Sequence, residues 1–213
     1  MSGYADRAEA GRVLAGHLVE AGIDAGDTVV LGLPRGGVVV AAEVAKALGV
    51  TADAFVVRKL GVPGHEELAM GAIASGGVRV LNEDVVAELG IGPDTIDAVT
   101  EREQAELERR EHAYRGDRSP PEITGRTVVL VDDGLATGAS MRAAVEAVRA
   151  ASPARLVVAV PVAPPDTVEQ FRAAGVEVVC PLRPRLFGGV GQFYFDFSQT
   201  TDDEVRKILT AAP

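Results

Sequence analysis

Two adjacent carboxylates, Asp132 and Asp133, follow the apolar run Thr127–Val131 and precede Gly134-Leu135-Ala136-Thr137-Gly138-Ala139-Ser140. The β-branched run reads as a buried strand, and Met141, Ala144, Val145 and Val148 recur at helical spacing after the small-residue turn. Such a strand delivers both carboxylates to its C-terminal end, where open parallel sheets bind ligands. The turn aims consecutive backbone N–H groups and a helix N-terminus at one point, which makes a cradle for phosphate. Thr137 and Ser140 add hydroxyl donors. Carboxylates beside a phosphate cradle suit a ligand whose diol or metal ion lies near its phosphate, as in a ribose 5-phosphate.

A second turn, Leu33-Pro34-Arg35-Gly36-Gly37, follows the short apolar run Thr28–Gly32 and opens a helical pattern of Val38, Ala41, Val44, Ala45 and Leu48. Its glycines let backbone approach an anion, and the helix behind it points its positive end the same way. Arg58 and Lys59 form a third element. They are expected at the C-terminal end of a strand over Ala54–Val57, beside a mobile polar loop that carries His65 and Glu66. Neither a GxGxxG dinucleotide loop nor a Gly-Lys-Ser/Thr phosphate loop is present.

Strands and helices alternate along the chain, with a helix over Asp6–Ala21, a hairpin about Gly76-Gly77, and a charged helix from Pro93 to near Gly116. Further strands at Arg155–Val160 and Glu177–Cys180 flank a helix near Asp166–Ala174. This order predicts an α/β fold of three layers, with a mostly parallel central sheet flanked by helices. One domain is expected over residues 1–213, its core at about 28–180 and its termini at 1–27 and 181–213. The charged helix carries only a thin apolar stripe of Ile96, Val99, Leu107 and Tyr114, so a solvated face is expected for it. Subtracting 31 acidic from 21 basic residues leaves a net charge of -10, which disfavours nucleic acid and anionic membranes as partners. One cysteine, Cys180, excludes an internal disulfide, and with no signal-like segment a cytoplasmic setting is expected. Five of the nine aromatic residues fall between Leu186 and Phe197, where they either line a ligand or plug the open side of the core.

From Val128 to Ser140 the sequence resembles the type I phosphoribosyltransferase family, whose signature is an apolar strand, two acidic residues and a Thr-Gly phosphate loop. The resemblance implies transfer of a 5-phosphoribosyl group from phosphoribosyl pyrophosphate to a small nitrogenous acceptor, a nucleobase by default, in nucleotide salvage. It implies a 5-phosphate loop made of Gly134, Ala136, Thr137, Gly138, Ala139 and Ser140, with Asp132 and Asp133 on the ribose diol, directly or through Mg²⁺. It places pyrophosphate on Arg35, Gly36, Gly37, Arg58 and Lys59. It also gives a closing loop with His65 as acid or base, a helical insertion at Asp94–Arg115, and a C-terminal hood over the acceptor. A homodimer is left open. Two other readings compete: a non-catalytic sensor of phosphoribosyl pyrophosphate, and a metal-dependent phosphohydrolase.

Overall fold

A computed structural model describes residues 3–211, the side chains of residues 67 and 211 excepted. The elements in chain order are α1 Arg7–Glu20, β1 Thr28–Gly32, α2 Gly36–Leu48, β2 Ala52–Ala54, β3 Val57–Val62, β4 His65–Ala74 and β5 Val78–Leu81. They continue as α3 Glu83–Glu88, α4 Pro93–Arg115, β6 Thr127–Val131, α5 Ala139–Ala150, β7 Arg155–Ala159, α6 Pro165–Ala173, β8 Glu177–Val179 and α7 Asp202–Ala211. Five strands form a parallel sheet in the order β2-β1-β6-β7-β8. Because strand side chains alternate, β1, β6 and β7 split their residues between two apolar layers. Val30, Val129, Val131 and Val157 pack with α1 and α2 on one face, whereas Val29, Leu31, Val128, Leu130 and Val158 pack with α5 and α6 on the other. This is the three-layer arrangement expected from the alternating pattern.

The strand order reverses between β1 and β6. α2 leaves β1 on one face and α5 leaves β6 on the other, so a crevice opens at the C-terminal ends of these two neighbours. Both glycine-bearing turns start there.

The segment after β2 departs from the expected strand and mobile loop. β2 ends at Ala54; Phe55 N–H still donates to Gly32 O at 2.9 Å, but Val56 exchanges backbone and side-chain hydrogen bonds with Ser75. The chain thereby leaves the parallel sheet for a separate antiparallel sheet in the order β3-β4-β5. Arg58 and Lys59 lie within β3. Instead of a loop, residues 61–66 contain a hairpin tip at Pro63-Gly64, with Gly64 at φ +79°. The hairpin about Gly76-Gly77 forms as expected.

α4 covers this second sheet. Its thin stripe is fully used, since Ile96, Val99, Leu107 and Tyr114 are buried among Leu60, Met70, Ile73, Val205 and Leu209. At its end Arg115, 7% exposed, donates to Asp53, Glu111 and the Ala54 carbonyl, which locks the helix to the edge of the parallel sheet. Cys180 is buried, and burial pushes its thiol up to about 11. At pH 8 the native protein is therefore expected to react with a disulfide reagent about a hundredfold more slowly than the unfolded chain, because only thiolate attacks. Equal rates in buffer and in denaturant would contradict this burial. Among the described residues no helix is long and apolar enough to cross a membrane.

Candidate active site

The turn after β6 follows directly from its residue types. Val128 to Val131 are fully buried, and the chain turns outward at the two carboxylates. Leu135 N–H donates to Val162 O at 2.9 Å, and Thr167 Oγ1 donates to Ala136 O at 2.9 Å, which pins the turn to the segment after β7 and to α6. Gly138 takes φ +74° at the α5 N-cap, a conformation that costs a side-chain-bearing residue steric strain. Among the described residues the N–H groups of Ala136, Thr137 and Gly138 have no hydrogen-bond partner. They border a cavity of about 180 Å³ lined by Asp132 and by residues 134–141. Exposed donors at a helix N-terminus are the requirement for a dianionic phosphate.

The two carboxylates have different surroundings. Asp132 lines this cavity and accepts Asp133 N–H on Oδ1 at 2.8 Å. Asp133 instead meets Arg7, whose Nε donates to Asp133 Oδ2 at 2.8 Å, with both side chains nearly buried. Burial, joined by the charge of Asp133, pushes Asp132 well above the usual carboxylate range. Burial likewise raises Asp133, against the lowering effect of Arg7. Tyr194 donates its hydroxyl to Asp133 O at 2.5 Å, and burial first, then the Asp133 charge, keep that phenol protonated.

The glycine turn after β1 packs against the acidic turn. Leu33 N–H donates to Val131 O at 2.8 Å, and the Pro34–Arg35 peptide is cis. A methyl group on Gly37 would lie 2.8 Å from both Asp132 Cα and Val131 O; one on Gly36 would overlap Asp133 Oδ2. Glycine is therefore required at 37 by the close approach of two backbones and favoured at 36 by the Asp133 and Arg7 side chains. The N-termini of α2 and α5 thus stand on either side of Asp132.

The structure brings together Gly36, Gly37, Asp132, Asp133, Gly134 and residues 136–140. Of the expected cations, Arg35 is at the turn as the N-cap of α2, and Arg58 and Lys59 lie within β3. Arg58 is spent on Glu103 of α4, through Nε at 3.0 Å and Nη2 at 2.5 Å. Arg35 stands 3.9 Å from Asp202 at the start of α7. Lys59 is exposed on β3, and His65 is exposed at the hairpin tip. All three of Arg58, Lys59 and His65 therefore belong to the second sheet, because the chain changes sheets at Val56.

Mg²⁺ fits this donor set only in a limited way. Among the described residues no group of three or more His, Cys, Asp or Glu side chains could hold a metal. Asp132 offers one carboxylate at the cavity, and Asp133 is already engaged. That suits a hard cation that keeps substrate oxygens and water as most of its ligands.

A family model described as a phosphoribosyl transferase domain matches residues 4–197. The chain belongs to the phosphoribosyl transferase domain family. Among its relatives is a Mycobacterium tuberculosis protein named "Putative phosphoribosyl transferase Rv0571c", 49% identical over 209 residues, which cover 98% of this chain and 47% of the relative. The chain thus spans about half the length of the curated relatives it matches. The crystal structure of TT1426 from Thermus thermophilus superposes with a TM-score of 0.89 at 45% identity, covering 98% of both chains.

Two parts of this phosphoribosyl transferase domain escape the sequence reading. Arg7 opens an ordinary amphipathic helix, and nothing in its local pattern distinguishes it from a surface charge. α7 did leave a signal: Thr201 and Glu204 form a capping box, with Thr201 N–H donating to Glu204 Oε2 at 2.7 Å and Glu204 N–H to Thr201 Oγ1 at 3.2 Å. The C-terminal aromatics divide their work. Tyr194 is buried against Tyr4, Phe197 lies 4.0 Å beneath the Arg7 guanidinium, and Phe195 is 98% exposed.

Proposed function

We propose that the chain transfers a 5-phosphoribosyl group from phosphoribosyl pyrophosphate to a small nitrogenous acceptor, and releases pyrophosphate. The observation that carries this reading is the meeting of two helix N-termini on either side of Asp132. One supplies open N–H donors for a phosphate, and the other a glycine backbone for a second anion. A ribose with phosphate at one end and pyrophosphate at the other matches that spacing of charge.

In this reading Gly134 and residues 136–140 bind the 5-phosphate, and Asp132 accepts hydrogen bonds from the ribose diol. Gly36 and Gly37 cradle the pyrophosphate. Asp132 would hold Mg²⁺ directly or through water, and the ion would supply charge neutralisation for the leaving pyrophosphate. The acceptor nitrogen forms a bond to C1, the C1–oxygen bond breaks with its electron pair leaving on pyrophosphate, and the acceptor proton passes to water. Positive charge grows on the ribose ring near Asp132, so an ionised Asp132 stabilises the transition state more than the ground state. By family resemblance the acceptor is a nucleobase.

Incubation with phosphoribosyl pyrophosphate, Mg²⁺ and a panel of bases is expected to release pyrophosphate only when an acceptor is present. Phosphate release without any acceptor would favour a phosphohydrolase, and tight binding with no turnover on any acceptor would favour a sensor.

A further inference from the structure

We propose that Arg142 is a positioning residue for the 5-phosphate: from the outer side of the turn it holds the Thr137 carbonyl and so aims the Gly138 N–H into the cavity. The proposal rests on the phosphoribosyl reading above and names what preorganises the phosphate loop.

Residues 134–141 include no lysine or arginine, so the cradle is made of backbone and its affinity depends on how the peptide planes are turned. None of the peptides from Ala136 to Ala139 is cis, and in a trans peptide the carbonyl of one residue and the N–H of the next point opposite ways. A donor on the carbonyl therefore fixes the direction of the N–H. Three consecutive carbonyls are held in this manner. Thr167 Oγ1 of α6 donates to Ala136 O at 2.9 Å, Arg142 Nη2 of α5 donates to Thr137 O, and Arg142 N–H donates to Gly138 O at 2.8 Å. The N–H groups of Thr137, Gly138 and Ala139 then face the other way, and among the described residues none of them has a hydrogen-bond partner. The cavity of about 180 Å³ is lined by residues 134–141 and by neither Arg142 nor Thr167, so the holding donors stand behind the loop and the open N–H groups face the cavity.

The middle peptide depends on the guanidinium. Among the described residues no backbone N–H reaches the Thr137 carbonyl, and its donor is Arg142 Nη2. Arg142 is itself held on two further sides. Its Nη1 donates to Gln170 Oε1 of α6 at 3.3 Å, and its guanidinium carbon lies 5.7 Å from the centroid of the Phe171 ring. The same ring stands against Gly138, where an added methyl would lie 2.9 Å from Phe171 Cε2. α5, α6 and the loop thus close on one another around an exposed cation. That cation polarises the peptide it holds, which strengthens the Gly138 N–H as a donor to a dianion. Arg142 touches no substrate in this arrangement and acts through the Thr137–Gly138 peptide.

The test is calorimetric titration of the full chain in Mg²⁺ with ribose 5-phosphate, which reads the cradle, and with inorganic pyrophosphate, which reads the Gly36-Gly37 turn. Arg142→Met is expected to weaken ribose 5-phosphate about twofold to tenfold, the scale of one hydrogen bond, and to leave pyrophosphate unchanged. Arg142→Lys, which keeps a charged donor, is expected to recover most of the loss. Thr167→Val should show the same selectivity and Thr167→Ser should restore binding, because the neighbouring carbonyl needs only a hydroxyl. Since Arg142 is exposed, Arg142→Met is expected to melt like the wild type. A positioning role also keeps the ratio of wild-type to Arg142→Met affinity at about 1 M salt, where the screening length falls to about 3 Å. Unchanged ribose 5-phosphate binding in Arg142→Met, equal weakening of both ligands, or a ratio that collapses to unity in high salt would overturn the proposal. A wild-type chain that binds neither ligand would overturn the phosphoribosyl reading on which it rests.

Discussion

Asp132→Asn is expected to lower phosphoribosyl transfer by about a hundredfold to a thousandfold and, at neutral pH, to stabilise the fold. The loss follows from removing a preorganised negative charge from beside the ribose, where such groups contribute about 3–4 kcal/mol to the transition state. The gain follows from burial and the Asp133 charge, which push Asp132 well above the ordinary carboxylate range. The unfolded chain then gives up this proton at a lower pH than the native protein does. Native stability therefore falls as pH rises from the ordinary carboxylate value through the raised native one. Asparagine keeps the acceptor for Asp133 N–H and removes the penalty. Urea unfolding at pH 7.5 should show a gain of about 0.5–2 kcal/mol, within the range typical of relieving strain at a functional site. Well below the ordinary carboxylate value of about 3.9, where the carboxyl is protonated in both states, the difference should vanish. A variant that is less stable at pH 7.5, or that retains full turnover, would contradict the placement of Asp132.

Gly37→Ala is expected to cost about 1–3 kcal/mol of stability and at least about tenfold in affinity for phosphoribosyl pyrophosphate, because overpacking against backbone has no cheap relaxation. The added methyl meets Asp132 Cα and Val131 O at 2.8 Å, so either the α2 N-terminus or the acidic turn must move. Both are parts of the site. Gly36→Ala differs in kind, since its methyl meets the side chains of Asp133 and Arg7, which can turn aside. Its expected signature is weaker pyrophosphate binding with a smaller change in melting temperature. Thermal melts of the two variants, read beside their affinities, separate these effects; a wild-type melt for Gly37→Ala would contradict the close packing of the two turns.

The parallel sheet and both turns were legible in the sequence because local patterns encode them. Thr127–Val131 and Thr28–Gly32 carry strand-type residues, and each runs into a glycine turn and an amphipathic helix with nothing between. Arg58, Lys59 and His65 were harder to place because their positions depend on a change of sheet at Phe55-Val56. Both residues are apolar and buried, so the period carries no sign of the break; the hydrogen bonds to Ser75, nineteen residues on, decide it. Arg7 depends on a contact 126 residues away, which no local pattern can announce. The acidic pair itself was legible as a pair but not as two environments, because only the packing of Gly36 and α1 distinguishes Asp133 from Asp132. The net charge of -10 says little about the site, where donors and carboxylates are arranged residue by residue.

Whether the crevice is a phosphoribosyl pyrophosphate site is decided by calorimetric titration of the wild-type chain with that ligand in Mg²⁺. One molecule bound per chain, displaced by ribose 5-phosphate and bound more weakly by Asp132→Asn, is the predicted result. Absence of binding by a folded chain, or binding indifferent to Asp132, would contradict it.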